Sequence, residues 1–456
     1  MTPTPNLIII SEKIWREAAR NHRKRILSLL QPGLTPRQDQ INTGNRRQNR
    51  RVDEWTALDP VNPIYNFLIE YYGIKGAKGA RRLGRWAPDP SLLLGNYNNN
   101  KHSEEEDLKI ENGHFDADVY DRLYKAAMEA SHGQGGILLQ NANTEDMGGT
   151  LHLRGSIPVL SSENDNHDND KDDSGTGTFH GILYNPAISY NRHQPIESSA
   201  ERQQILKTIA PFQWYSSILR TTLNSEPILH CHGLHEWAMQ YHPPDAPPPP
   251  SAKYQSSLPL RVSREVINET VERKGISCTH VDALRFFAPA AGPLNHHGAE
   301  LERTDQLRLE QKACVHAHMD LLKIALKLQP FLKAELLGEI LEVGIKARRL
   351  DVEASPYDAR SYGAGVVPVE TQEGRALYRE RQSVLMEEVE PVRIRLLKAY
   401  DDFMGIAFAE EFVGQHDIVE GGIGKEGDQY SPFVAPERIA KAQPGGKPWR
   451  RNLIEN

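Results

Sequence analysis

Three short segments constrain this chain more than anything else in it. Each sets histidine, cysteine and acid among large apolar residues. The first is Leu229-His230-Cys231-His232-Gly233-Leu234-His235-Glu236-Trp237-Ala238-Met239-Gln240-Tyr241-His242. The second is Cys278-Thr279-His280-Val281-Asp282-Ala283-Leu284-Arg285-Phe286-Phe287, and the third is Cys314-Val315-His316-Ala317-His318-Met319-Asp320-Leu321-Leu322-Lys323. A solvated surface does not usually place polar groups inside such runs, and a core tolerates them only when they are paired. Buried separately, each unpaired group would cost about 1–3 kcal/mol. The expectation is that the three segments converge on one site. His235, His280 and His316 should then lie within roughly 12 Å of one another, close enough for a shared ion or proton relay.

Composition narrows the class. The chain has 456 residues, 38% of them apolar, and a net charge of −7, which argues against coating nucleic acid by charge alone. Its three cysteines, Cys231, Cys278 and Cys314, form no Cys-x-x-Cys pair, so they suit a reducing compartment better than a disulfide framework or a structural zinc site. No stretch approaches the roughly 20 apolar residues that span a bilayer. The start, Met1-Thr2-Pro3-Thr4-Pro5-Asn6 and then Leu7 to Ile10, lacks the basic region of a secretory signal. A soluble intracellular protein of cytoplasm or nucleus is expected; an organelle address stays open.

Four stretches offer no apolar periodicity to offset their ordering entropy and read as long flexible loops. Residues 35–56 are rich in Arg, Gln and Asn, residues 95–112 carry Asn98-Asn99-Asn100 and an acidic run, residues 161–177 are almost all Ser, Asp, Asn, Gly and Lys, and residues 243–252 hold Pro247 to Pro250. The rest reads mainly α. Ser11 is a plausible N-cap for a helix to Leu30, Asn62 to Gly73 has proline at the first turn and glycine at the end, and 117–131 and 198–223 keep helical spacing. Short alternating runs in 148–160 and 178–190 suggest a small β excursion. From 303 to 404 three long helices are expected, with Pro330 and Pro356 interrupting and ending them and Pro391 inside the last. The organisation expected is an N-terminal helix and basic linker over 1–57, one multi-helix catalytic domain over 58–404 with flexible inserts, and a loose tail over 405–456.

On the third segment His316, Asp320, Lys323 and Lys327 fall at i, i+4, i+7 and i+11, one polar stripe on an otherwise apolar helix. The stripe faces either water or an internal cleft. In the second segment His280 and Asp282 share a face if extended, whereas Asp282 and Arg285 share one if helical and form an ion pair. In the first, His235-Glu236 is not the start of a zinc-protease His-Glu-x-x-His motif, because Met239 stands at the second histidine. The run Arg348-Arg349-Leu350-Asp351-Val352-Glu353-Ala354-Ser355-Pro356-Tyr357-Asp358 reads as a helix end followed by turn chemistry, with Tyr357 and Asp358 at a possible pocket rim.

Taken in order, Gly-Leu-His-Glu-Trp-Ala-Met-x-Tyr (233–241), Cys-x-His-x-Asp-Ala-x-Arg-Phe-Phe (278–287), Cys-x-His-Ala-x-Met-Asp-Leu-x-Lys (314–323) and Ala-Ser-Pro-Tyr-Asp (354–358), with Pro-x-Tyr-x-Phe-Leu-x-x-Tyr-Tyr (63–72), resemble a poorly characterised family commonly labelled 3-methyladenine DNA glycosylase. The likeness covers roughly 55–95 and 205–400. It implies that His235, Glu236, His280, Asp282, Arg285, His316, Asp320, Lys323 and Asp358 are the residues to examine. His232 and His318 depart from the pattern and are weaker candidates as ligands.

Two functions stand side by side. The resemblance implies excision of alkylated purine bases by N-glycosidic hydrolysis from damaged DNA. Asp282 or Asp320 would then oppose the developing positive charge, with His280, Arg285, Lys323, Tyr357 and Asp358 in the catalytic set. Trp237, Tyr241, Phe286, Phe287 and Tyr357 would be available to stack a base. The chain has neither the glycine-rich hairpin of helix-hairpin-helix glycosylases nor zinc-snap spacing. The other function is a helical metal-dependent oxidoreductase or hydrolase acting on a small molecule. There His235, Glu236 and His316, with His280, Asp282 and Asp320, would share one or two ions of iron or zinc. A non-catalytic protein with a satisfied polar core is the third possibility.

Overall fold

Helical spacing of apolar residues builds most of the architecture. The computed structural model describes residues 7–35, 55–94, 117–143, 156–160, 180–190, 192, 196–246, 258–273, 275–298 and 301–413. Of the stretches expected to be flexible, 95–112 and 161–177 lie wholly outside the described residues, as do 36–54 of 35–56, 247–252 of 243–252 and 414–456 of the tail; the described ends of 35–56 meet, Thr56 Oγ1 donating to the Thr35 carbonyl and Trp55 being buried.

The described chain is mainly α. Strand β1 (Leu7–Ile10) leads into α1 (Glu12–Leu30), followed by the short α2 (Asn66–Glu70), α3 (Gly76–Leu83) and α4 (Ala117–Ala130). Strands β2 (Gly136–Gln140), β3 (Ser156–Leu160) and β4 (His180–Tyr184) come next, then α5 (Pro186–Ser189), α6 (Ser199–Asn224), α7 (Leu234–Gln240), α8 (Arg264–Glu272), α9 (Val281–Leu284) and α10 (Asp305–Leu309). The bundle closes with α11 (Val315–Leu328), α12 (Ala334–Ala354), α13 (Gln372–Ala407) and α14 (Glu410–Val413).

The sheet runs β1-β2-β4-β3, with β1 parallel to β2 and the other pairs antiparallel. The expected β excursion is therefore present but twice as large. The apolar run at the N-terminus supplies one edge, pairing Leu7 with Gly136. Alternation assigns the faces. Ile8, Ile10, Ile137, Leu139 and Ile182 face the main core. Ile9, Leu138, Val159 and Leu183 face α4, where Leu123 and Ala127 complete a second, small core. Pro158, which cannot donate to a ladder, sits on the other edge strand, β3.

One large core joins the rest. Trp15, Ile26 and Leu30 of α1 pack into it, as do Phe408 and Phe412 beyond α13, so it extends at both ends past 58–404. Ser11 occupies the N-cap of α1 in extended backbone but makes no side-chain cap bond. Ser198 and Glu201 form a full capping box at the start of α6. Asn62 to Gly73 is part turn and part helix. The Asn62 Oδ1 takes the amide of Ile64 at 3.1 Å, a local alternative to helix, and only Asn66–Glu70 winds up. Pro330 and Pro356 follow α11 and α12, and α13 runs unbroken through Pro391. Among the described residues no helix is long and apolar enough to cross a membrane.

Candidate metal centre

Four elements deliver the polar groups. Gly233 precedes α7 with φ +67°, and a Cβ there would stand 3.3 Å from the Ala354 Cβ, so the chain can turn tightly against the end of α12. Trp237 Nε1 ties this turn to the carbonyl of Ala354 at 2.8 Å. His235 and Glu236, in the first turn of α7, thereby face Arg348 and Asp351 on α12. His280 caps α9, and α11 carries His316, Asp320 and Lys323 on one stripe.

The histidines of the three segments meet. The His235 and His316 rings are 4.2 Å apart edge to face, and the His280 and His316 rings stack at 4.7 Å. His316 thus links two groups of donors whose ligand atoms lie within 4.8 Å of one another: His235, His316 and Asp351, and then His280, Asp282 and Asp320.

In the first group His235 Nε2 and Asp351 Oδ1 stand 2.6 Å apart. The contact is an ion pair in distance but falls outside straight hydrogen-bond geometry. The other Asp351 oxygen is held by Arg348, whose Nη1 also donates to Glu236 Oε1 at 2.7 Å and whose Nε donates to the Pro63 carbonyl at 3.0 Å. Burial alone would raise the Asp351 carboxyl, but His235 and Arg348 hold it far below the carboxylate range. Burial, with His235 and His280 beside it, keeps the His316 imidazole neutral.

The second group is built differently. His280 Nε2 lies 3.3 Å from Asp320 Oδ2, and the Tyr72 hydroxyl donates to Asp320 Oδ1 at 3.2 Å. Lys323 Nζ is 3.5 Å from Asp282 and 3.9 Å from Asp320, while Arg303 donates to Asp282 at 3.1 Å. Against the opposing effect of burial, Arg303 and Lys323 bring the Asp282 carboxyl down to about 2, and Lys323, His280 and Arg303 hold Asp320 lower still. His235, Glu236, His280, Arg348 and Asp351 are buried, whereas His316, Asp320, Asp282 and Lys323 are half-buried and form the open side. A cleft of about 490 Å³, lined by Ser225, Thr279, His297, Arg308 and Glu310 among others, reaches the residue before His280.

Four residues from the sequence reading stand elsewhere. Arg285 is exposed, its guanidinium 4.7 Å over the Phe286 ring. The cations paired with Asp282 are Arg303 and Lys323, not Arg285. Asp358 lies at the surface paired with Arg360, whose hydrogen bonds lower its carboxyl to about 2. Tyr357 is buried in the wall, its hydroxyl accepting from Gln240 at 2.9 Å. Glu236 serves as counter-ion to Arg348 and lies outside both donor groups.

His318, two residues from His316 and so on the far side of α11, accepts from Arg393 at 3.1 Å. The three thiols are free, lie in neither donor group, and are pushed up by burial. Asp351, Arg303 and Tyr72 were not anticipated as site residues. The available signal was Arg348 and Asp351, at i and i+3 on a helix otherwise apolar on that face. Comparison of the chain with protein-family models, with curated proteins and with solved structures finds no match, so the chemistry of the centre rests on its own atoms.

Proposed function

We propose that this protein is a metal-dependent enzyme whose ion is held by His235, His316 and Asp351. The observation that carries the reading is the convergence of three ligand atoms, His235 Nε2 standing 2.6 Å from Asp351 Oδ1 and the His316 ligand atom within 4.8 Å of both. Lone pairs of an imidazole and a carboxylate brought this close repel one another unless a proton or a metal ion lies between them. Charge supports the same conclusion. Glu236 and Asp351 share the one guanidinium of Arg348, so a further positive charge, from a protonated His235 or from an ion, is called for beside them. Two histidines and one carboxylate with further positions open suit ferrous iron or zinc, which would supply Lewis-acid or redox chemistry toward a small molecule.

The surrounding residues have separate tasks. Arg348 fixes Asp351 by the oxygen that faces away from His235 and so orients the ligand. The neutral ring of His316 leaves a nitrogen lone pair free to ligate. His280, paired with Asp320, is placed to hold or move a proton on the open side, and Tyr72 fixes the orientation of Asp320.

Metal analysis of the purified chain tests this. About one iron or zinc per chain is expected, with loss of the ion in His316→Ala and in Asp351→Asn while circular dichroism stays helical. Unchanged metal content in both variants would overturn the reading.

Base excision from alkylated DNA is the second reading. One observation favours it: Asp282 and Asp320 are held ionised on the open side, as a developing sugar cation requires. The aromatics weigh against it. Trp237, Tyr241, Phe287 and Tyr357 are all buried in the core, and of that set only Phe286, at 36% exposure, presents a face to a base. Release of free base from methylated DNA by metal-free protein would establish this reading over the first.

A further inference from the structure

The second donor group has the composition of a metal site, yet its charge is already balanced. His280, Asp282 and Asp320 present ligand atoms within 4.8 Å of one another, as His235, His316 and Asp351 do. Into the two carboxylates, however, project Lys323 Nζ at 3.5 and 3.9 Å and the Arg303 guanidinium at 3.1 Å. A divalent ion added beside them would leave two negative charges facing four positive ones. In a partly desolvated site that repulsion is large. In the first group Asp351 shares its one arginine with Glu236, so no such surplus of cations stands there.

We propose that the ammonium of Lys323 occupies the place of a second metal ion, so that a centre with ligands enough for two ions holds one. The inference rests on the metal reading of the first group, and it makes Lys323 the residue that sets nuclearity. A lysine serves because it is a compact point charge on a flexible stem, able to lie between two carboxylates without bidentate geometry. Arg303 hydrogen-bonds Gln306 Oε1 at 2.9 Å as well as Asp282, so it is anchored beside the pair while Lys323 bridges it.

The test is zinc stoichiometry of the full chain after loading and desalting. Wild type should retain about one zinc and Lys323→Met about two, the methionine keeping the apolar stem while removing the charge. Lys323→Arg should stay at about one, because a cation remains. Adding Asp282→Asn to Lys323→Met should return the count to one. Asp282→Asn alone should leave the native count unchanged, which keeps the idea testable should the methionine variant not fold. Two zinc ions in wild type, no gain of zinc over wild type in a folded Lys323→Met, or loss of the native ion in Asp282→Asn would each overturn the proposal. The two readings fail separately. No zinc in wild type but one in Lys323→Met would refute the first group as a metal site and leave the role of Lys323 standing.

Discussion

Replacing Arg348 by methionine keeps most of the side-chain volume and removes the charge from a residue that is 2% exposed. Three acceptors lose their donor together: Glu236 Oε1, Asp351 Oδ2 and the Pro63 carbonyl. Glu236 Oε2 and Asp351 Oδ1 already lack hydrogen-bond partners, so both carboxylates would be left without the guanidinium they share in a dry interior. Removing one partner of a buried ion pair costs about 3–5 kcal/mol, and here one arginine serves two acids, which puts Arg348→Met at the upper end of that range. Arg25→Ala is the internal control. Its 3.2 Å pair with Glu342 is about 38% exposed on both sides, and the expected loss is under about 1 kcal/mol. Urea denaturation in chelator reads both. Repeating it in zinc adds a second readout. A cation bound only by the folded state at a hundred times its dissociation constant contributes about 2.7 kcal/mol, so zinc should recover part of the loss. A cost for Arg348→Met no greater than that of Arg25→Ala would refute the account of this network. So would a zinc effect that persists in Asp351→Asn.

Three further outcomes follow from the same structure. His22 is buried with Nε2 on the Leu83 carbonyl, and burial lowers its pKa below the ordinary 6.5, so the unfolded chain binds the proton more readily. The stability its neutral ring contributes is whole above 6.5 and is lost as pH falls through the lowered value; His22→Gln should therefore show a flatter stability profile than wild type between about pH 7 and 5, and parallel profiles would refute this. Gly233→Ala should cost about 1–2 kcal/mol in strain at φ +67° plus the 3.3 Å contact with Ala354, and should weaken zinc retention by shifting His235; Gly363→Ala, at φ +73° with nothing within 4 Å, should cost strain alone and leave zinc untouched. Arg285→Ala should change stability by no more than about 0.5 kcal/mol and leave zinc retention unchanged, since its side chain lies exposed over Phe286; a loss of metal would mean that the surface placement is wrong.

The sequence by itself determined what is periodic or local. The helix from Ser11 to Leu30, the capped start of α6, and the breaks at Pro330 and Pro356 are all written within a few residues of where they act. It also determined which groups needed partners, because His235, His280, His316 and Asp320 are set among apolar neighbours that must be buried. It did not determine who those partners are. Asp351 reaches His235 across 116 positions, Arg348 reaches Pro63 across 285, and Tyr72 reaches Asp320 across 248, contacts fixed by how α7, α11 and α12 pack. The same holds for the sheet, where an isolated run of four apolar residues becomes a strand only because Gly136 to Leu139 lies alongside it. Arg285 and Asp358 lie apart from the centre, one stacked over Phe286 and the other paired with Arg360, two residues away. A chain states locally that a charge will be buried. The packed backbone decides which opposite charge, and whether a lysine or a metal ion, stands against it.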